Sequence, residues 1–568
     1  MRSLLFGLIA LSIATTSALA AQIAPPQPLR LPQPQTQTAA PPGTATLRGH
    51  VFAADTGQPL RKAQVRIIAG DIRENRMVST DESGAYEFKE VRAGRYTVMA
   101  GKGSYVNMSY GQQRPTDSAK PLEILDHQTV ERLDLMLPRG GVITGRVVDE
   151  FGEPAPEIQV ATERFQVVQG QRRLLPNGRS VTTNDLGEFR LFGIPPGQYY
   201  LSATWRNTNG FNPNGSPSDR TAYAPIYYPG TITASEAQRL TVSAGQQIDD
   251  LVLVLKPIKA SRVSGTAIGS DGKPLTPAMI MVMQSSVGFG SMAAGAQVRP
   301  DGTFTVGGLA PGTYTLRAQR MGPIGTDGQE AAMATVTLTG DDITDVQLVA
   351  AKPSRLTGRV IVDPAAASAL PRSLMIRAFA SNSFGIPAPP PPPAQLAEDL
   401  TFELKSTPGV MRLVLAGSAF GAPPEGWSIR SVRVNGVDVT DAGVEFKPNE
   451  DITGVEVELT NKVTTVSGTV TTSRDELATD YTAVVFAKDR EKWIGNTRYQ
   501  SAGRPDQDGR FKITGLPPGE YYIVAVDRLE PGQSSDPDFL ERVRGRAVSL
   551  SLREGETRNV ELRLNSAM

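Results

Sequence analysis

The sequence predicts an all-β protein, a tandem array of β-sandwiches, and three recurrences predict it. A strand with a central glycine begins each of five units, a two-strand hairpin motif recurs four times at fixed offsets, and an alternating apolar strand closes every unit. Fixed offsets matter because side chains two apart share a face of a pleated strand, so a preserved spacing is a preserved pattern of burial.

The opening strands are Leu47-Arg48-Gly49-His50-Val51, Ile143-Thr144-Gly145-Arg146-Val147, Val263-Ser264-Gly265-Thr266-Ala267, Leu356-Thr357-Gly358-Arg359-Val360 and Val466-Ser467-Gly468-Thr469-Val470. Their glycines lie 96, 120, 93 and 110 residues apart, the size of one ordinary domain. Units that long are beads with separate cores, unlike solenoid repeats that cannot fold alone.

The hairpin is cleanest in Asp508-Gly509-Arg510-Phe511-Lys512-Ile513-Thr514-Gly515-Leu516-Pro517-Pro518-Gly519-Glu520-Tyr521. From its first glycine (Gly84, Gly187, Gly302, Gly509) an aromatic follows two residues on: Tyr86, Phe189, Phe304 and Phe511. A second glycine comes ten residues on, at Gly94, Gly197, Gly312 and Gly519, and Tyr96, Tyr199, Tyr314 and Tyr521 follow it. Acidic residues before the first glycine (Asp81, Asp185, Asp301, Asp508) suit a turn whose carboxylate caps backbone N–H groups while glycine takes positive φ. The tyrosine can bury its ring and bond its hydroxyl to a loop, as a tyrosine corner does. Closing strands such as Leu251-Val252-Leu253-Val254-Leu255 and Val560-Glu561-Leu562-Arg563-Leu564 come next. The following unit starts a few residues later, so the linkers are short and the beads are expected to form a stiff rod.

The expected sandwiches span 46–138, 141–257, 261–352, 354–461 and 463–566. The fourth is degenerate: Met411 replaces the tyrosine, Phe402 precedes Pro408-Gly409 by one residue fewer, and 387–393 is a Pro-rich loop. Polyproline lacks donors and cannot sit in a central strand, so an exposed loop is expected there. Residues 1–20 read as a secretory signal peptide with Arg2, an apolar Leu4–Ile13 and the small-residue site Ala18-Leu19-Ala20; 21–45 read as a Pro-rich spacer. The expected location is therefore beyond the inner membrane, in the periplasm, at the outer-membrane surface or outside the cell, with no integral membrane segment after signal cleavage.

Within these units, Gly-x-Val at the start, Gly57-Gln58-Pro59, Gly152-Glu153-Pro154 and Gly272-Lys273-Pro274 after it, and then Asp-Gly-x-Phe and Pro-Gly-x-Tyr carry a resemblance. The chain resembles tandem carboxypeptidase regulatory-like domains of bacteria from Thr46 to Asn565, weakly in the fourth unit. The resemblance implies seven-stranded transthyretin-like Greek-key sandwiches of a fold also called carbohydrate-binding-like, serving as accessory or adhesive modules. The zinc ligands of a carboxypeptidase catalytic domain are missing, so that activity does not carry over.

Charge is balanced, 58 basic against 58 acidic residues, which gives no electrostatic reason to expect nucleic acid or an anionic membrane. There is no cysteine, hence no disulfide or thiolate metal site, and the only histidines are His50 and His127. No nucleophile elbow, phosphate loop or dinucleotide fingerprint appears, and no catalytic residue, cofactor or metal site is assigned. Asp506-Gln507-Asp508-Gly509 and Asp341-Asp342 cluster oxygen donors without the full calcium-loop spacing and read as turn caps.

The sharpest binding candidates are Trp205, Tyr223, Tyr227 and Tyr228, in a long insertion of the second unit. Their rings suit the apolar faces of a sugar, or else they cover the end of their own sandwich. Trp427 and Trp493 read as core or edge packing. The expected function is non-enzymatic binding or structure in the cell envelope, by carbohydrate binding or adhesion, with a glycan or an envelope protein as partner. The alternatives are an accessory subunit docked to a separate secreted enzyme and a carboxylate-based glycan hydrolase. Limited proteolysis is expected to cut near 138–141, 257–261, 352–354 and 461–463; resistant fragments spanning those sites would refute separate beads.

Overall fold

The computed structural model describes residues 42–565 apart from 70–71, 73, 169–170, 206–220, 285–291, 322–329, 372, 381–390, 418–425 and 494–496. The expected signal peptide and most of the expected spacer lie outside the described residues. Gly43–Met568 forms one compact unit. Within it five hydrophobic cores follow one another along the chain: Ala45–Leu137, Ile143–Leu255, Val263–Ala350, Leu356–Leu459 and Val466–Leu562.

Every sandwich repeats one arrangement. In the third, the opening strand Ser261–Ile268 is central in a three-stranded sheet, antiparallel to Thr303–Leu309 and parallel to the closing strand Ile343–Val349. The facing sheet runs Met292–Gln297, Ala278–Gln284, Gly312–Arg320, Ala331–Leu338. The fourth sandwich adds Ser428–Val434 and Val437–Asp438 outside its closing strand. In the fifth, Ala525 and Val526 of the tyrosine strand also pair with the closing strand, joining the two sheets.

One packing detail explains the central glycine of each opening strand. A Cβ at Gly145, Gly265, Gly358 or Gly468 would meet a closing-strand carbonyl oxygen at 2.1, 1.9, 2.6 or 1.8 Å, and one at Gly49 would meet that of Leu133, just before the closing strand Leu135–Leu137, at 2.2 Å. The hairpin aromatic stands directly opposite in the neighbouring strand: Gly49 to Tyr86, Gly145 to Phe189, Gly265 to Phe304, Gly358 to Phe402 and Gly468 to Phe511. Its ring comes within 2.8 Å of the same virtual Cβ at Gly145 and Gly358. Only hydrogen fits between a backbone and a ring at this distance.

The turn before the aromatic is built as the spacing predicts, with two corrections. Asp81 accepts from the amides of Ser83 and Ala85 at 2.9 Å, and Asp301 from that of Thr303 at 2.9 Å. In the second and fifth sandwiches the cap is Asn184 and Asp506, not Asp185 and Asp508, because the accepting side chain stands three residues before the glycine. The fourth sandwich uses Asp399, and Leu400 takes the left-handed φ of 63° that glycine takes elsewhere. The degenerate unit therefore keeps the turn and the register at a strained residue.

The tyrosine hydroxyls donate to the carbonyl four residues earlier: Tyr96 to Arg92 (3.0 Å), Tyr199 to Pro195 (2.6 Å), Tyr314 to Ala310 (2.8 Å) and Tyr521 to Pro517 (2.6 Å). Trp427 and Trp493 are buried, Trp493 donating to the carbonyl of Ala487 at 2.7 Å. Pro391–Pro393 lie outside any strand and lead into the short edge strand Ala394–Gln395; Pro387–Pro390 lie outside the described residues.

The expected rod is not what forms. The fifth sandwich folds back on the first: Glu123 and Gln507 exchange two hydrogen bonds of 3.2 Å, and Lys120 donates to the carbonyl of Thr479. Arg504 bonds Gly111 O at 3.0 Å and Asp480 at 2.6 Å. Arg164 of the second sandwich lies 3.8 Å from Glu530 of the fifth. Arg498 and Tyr499 of the fifth both bond Asp441 of the fourth, at 2.9 Å each. The α-helix Pro537–Arg544, which no sequence pattern announced, covers the outer face of the tyrosine sheet through Phe539 and Leu540. No helix among the described residues is long and apolar enough to cross a membrane.

Two outcomes test this packing. Gly468→Ala is expected to destabilise the chain by about 2–3 kcal/mol through overpacking. Gly103→Ala, which meets nothing within 4 Å, is expected to stay within about 0.5 kcal/mol. Denaturant unfolding of both checks this, and equal midpoints would refute the carbonyl-contact account. Burial also holds the phenols of Tyr86, Tyr481 and Tyr521 above their ordinary range and pushes Tyr314 up to about 12. Because the folded values lie above the unfolded value of about 10, this stabilisation is complete below about pH 10 and is lost as pH rises through the folded values. Tyrosinate absorbance is expected to show a late fraction that ionises only as the β-sheet dichroism collapses. Uniform titration near pH 10 with dichroism intact would contradict it.

Candidate functional site

The second sandwich carries the candidate rings, and strand parity decides where each goes. Along Gly197–Trp205, Tyr199, Leu201 and Ala203 face the core, so Trp205 at the strand's end lies on the core side, at the rim of the sandwich. Tyr223, from the short strand Thr221–Tyr223, meets it edge to face, with ring centroids 6.3 Å apart and planes at 82°. Both rings are partly buried against the core, and the Tyr223 hydroxyl donates to Glu150 at 3.1 Å. Tyr228 is likewise partly buried against the core.

Tyr227 goes elsewhere. It pairs with Ser202, whose side chain faces away from the core, and its ring is only 7% exposed. Ser202 Oγ donates to Glu163 at 2.6 Å, both side chains being buried. Burial raises the Glu163 carboxyl, and burial together with the Glu163 charge raises the Tyr227 phenol. The structure thus brings Trp205 and Tyr223 together at the rim, packs Tyr228 beside the core, and places Tyr227 in a separate carboxyl, hydroxyl and phenol cluster. Residues 206–220 of the insertion lie outside the described residues.

That cluster was missed in the sequence, although a signal existed. Glu163, Ser202 and Tyr200 occupy the polar phase of two alternating strands, and only the register, Glu163 to Tyr200 and Ala161 to Ser202, shows that they converge.

Elsewhere the titratable candidates have plain surroundings. His50 is half exposed, with Nδ1 3.5 Å from Asp134 and its ring stacked on Phe52 at 5.7 Å. Asp506 spends one oxygen on two backbone amides of its own turn. Among the described residues no three His, Asp or Glu side chains are grouped to hold a metal ion.

Residues 46–124 match the carboxypeptidase regulatory-like domain family. No curated protein matches the chain. Among solved structures, the minor pilin GBS52 of Streptococcus agalactiae is 11% identical, covering 38% of this chain and 97% of its own at a TM-score of 0.21. A streptococcal ancillary pilin is 16% identical, covering 54% and 98% at 0.19. A Bacteroides uniformis protein named provisionally as carbohydrate binding is 8% identical, covering 52% and 100% at 0.14. Likeness of that degree does not extend to function. The recurring glycine, aromatic and tyrosine register, together with the family match, makes residues 46–124 a carboxypeptidase regulatory-like domain, at the head of a tandem array of transthyretin-like sandwiches.

Proposed function

We propose that the chain is a non-enzymatic binding protein of the cell envelope that holds a carbohydrate at the rim of its second sandwich. The observation that carries this reading is the Trp205–Tyr223 pair: two rings set edge to face, partly buried, with the Tyr223 hydroxyl tied to Glu150. A pair fixed in this way loses little side-chain freedom when a sugar face stacks on it, which is the condition for a good anchor. Adhesion is the natural use of such a site in a secreted array. Docking to a separate secreted enzyme is the alternative.

The test is binding of the purified mature chain to a broad glycan array, beside a Trp205→Ala, Tyr223→Ala variant whose unfolding midpoint is also measured. The expected outcome is binding by the parent chain and affinity weaker by about tenfold or more in the variant, with the fold retained, as for loss of an aromatic anchor. Equal binding by both, or binding by neither, would overturn the rim site and turn the search to protein partners.

A further inference from the structure

The outer face of the second sandwich carries arginines stacked on aromatic rings. Arg172 lies over Phe165 at 4.6 Å, Phe165 meets Tyr200 edge to face at 5.5 Å, and Arg239 lies over Tyr200 at 5.9 Å. Arg239 Nε also donates to the Tyr200 hydroxyl at 2.8 Å. Register puts the row on one face. Phe165 pairs with Leu174, two residues from Arg172, while Tyr200 pairs with Glu163, two residues from Phe165.

Stacking alone would not single out this face, since the fifth sandwich also has cations over rings. There, however, Lys488, Arg490, Lys492 and Arg498 each have a carboxylate partner as well. Arg542 over Phe539, and Arg179 and Arg190 over Phe192, have no carboxylate partner among the described residues either, but each set uses a single ring and not two rings in a row. Arg172 and Arg239 are exposed and make no ion pair among the described residues. The neighbouring Arg164 is taken by Glu530 at 3.8 Å. Glu163, the carboxyl on this face, is buried and bonded to Ser202, and burial favours its neutral form. Two guanidinium groups are therefore oriented by rings and left without counter-charges.

We infer that this row binds an acidic polysaccharide, its two guanidinium groups taking carboxylate or sulfate groups on separate sugars. The inference takes from the rim reading only that the ligand is a glycan. The backbones of Arg172 and Arg239 stand three strand spacings apart across the sheet, roughly 14 Å, and four residues apart along it, roughly 13 Å, since Arg172 pairs with Val167 while Tyr200, beside Arg239, pairs with Glu163. Their guanidinium groups lie over different rings, Arg172 on Phe165 and Arg239 on Tyr200, so a ligand that uses both offers a separate anionic group to each. Nucleic acid fits less well, because single strands need free ring faces for base stacking, and here Arg172 lies over Phe165 while Tyr200 is buried. The balanced charge of the whole chain does not oppose this, since the attraction is local and acts within about a Debye length.

The experiment measures binding of the full chain to polygalacturonate, to dextran and to a single-stranded DNA oligonucleotide, at two salt concentrations. It uses the parent chain, an Arg172→Gln, Arg239→Gln variant, an Arg179→Gln, Arg190→Gln variant that removes the same charge from around Phe192, and the Trp205→Ala, Tyr223→Ala variant. The expected result is salt-sensitive binding of polygalacturonate, weakened at least tenfold in the first variant and little changed in the second. No polygalacturonate binding, equal loss in both arginine variants, or DNA bound through the row in preference to polygalacturonate would overturn the inference. Retention in the Trp205, Tyr223 variant with no dextran binding would remove the rim site and leave the row standing. Dextran binding lost only in that variant, with polygalacturonate unbound, would do the reverse.

Discussion

The fold depends on how closely the opening strand of each sandwich approaches its two neighbours. At one residue the closing strand's carbonyl presses in from one side and an aromatic ring from the hairpin covers the other. Glycine at that residue lets three strands share a sheet while a large ring is buried over it. The ring then fixes the position of the hairpin, and the hairpin turn fixes where the tyrosine strand enters the facing sheet. In the third sandwich Phe304, Tyr314 and Leu316 fall in one core as a result.

The fourth sandwich shows which parts of this scheme can be exchanged. It keeps Gly358, Phe402 and the turn cap Asp399, and it loses the tyrosine to Met411, which is buried in the same core. The hydroxyl-to-carbonyl tie is therefore a local reinforcement, while the glycine and ring are common to all five sandwiches. Leu400 in a left-handed conformation shows the same order of importance, since the register survives a residue poorly suited to the turn.

Most of the repeating architecture was legible in the sequence, because period-two burial and fixed turn offsets are properties of neighbouring residues. Glycine, ring and tyrosine each fell where their spacing put them. The capping residue was misplaced in two turns because Asn184-Asp185 and Asp506-Gln507-Asp508 each offer more than one polar side chain, and only geometry decides which reaches the amides. The return of the fifth sandwich onto the first was not legible at all. It rests on Arg504, Gln507 and Lys120, polar residues meeting partners more than 350 positions away, which leave no periodic trace. The site residues divide in the same way. Trp205 and Tyr223 announced themselves by ring type in a polar insertion. Arg172, Phe165, Tyr200 and Arg239 belong to three strands and a connecting segment whose adjacency appears only after folding.

The parallel pairing of first and last strands has a mechanical meaning. In the second sandwich Val142–Val148 lies beside Gln247–Val254, the two running in the same direction. A tensile force applied at the two ends of such a unit pulls these strands in opposite senses along their own length. Their hydrogen bonds are then loaded together in shear, where an antiparallel terminal pair would open one bond at a time. The third, fourth and fifth sandwiches repeat this geometry. A chain tethered at one end and holding its ligand under flow would thus carry the load across whole ladders at once.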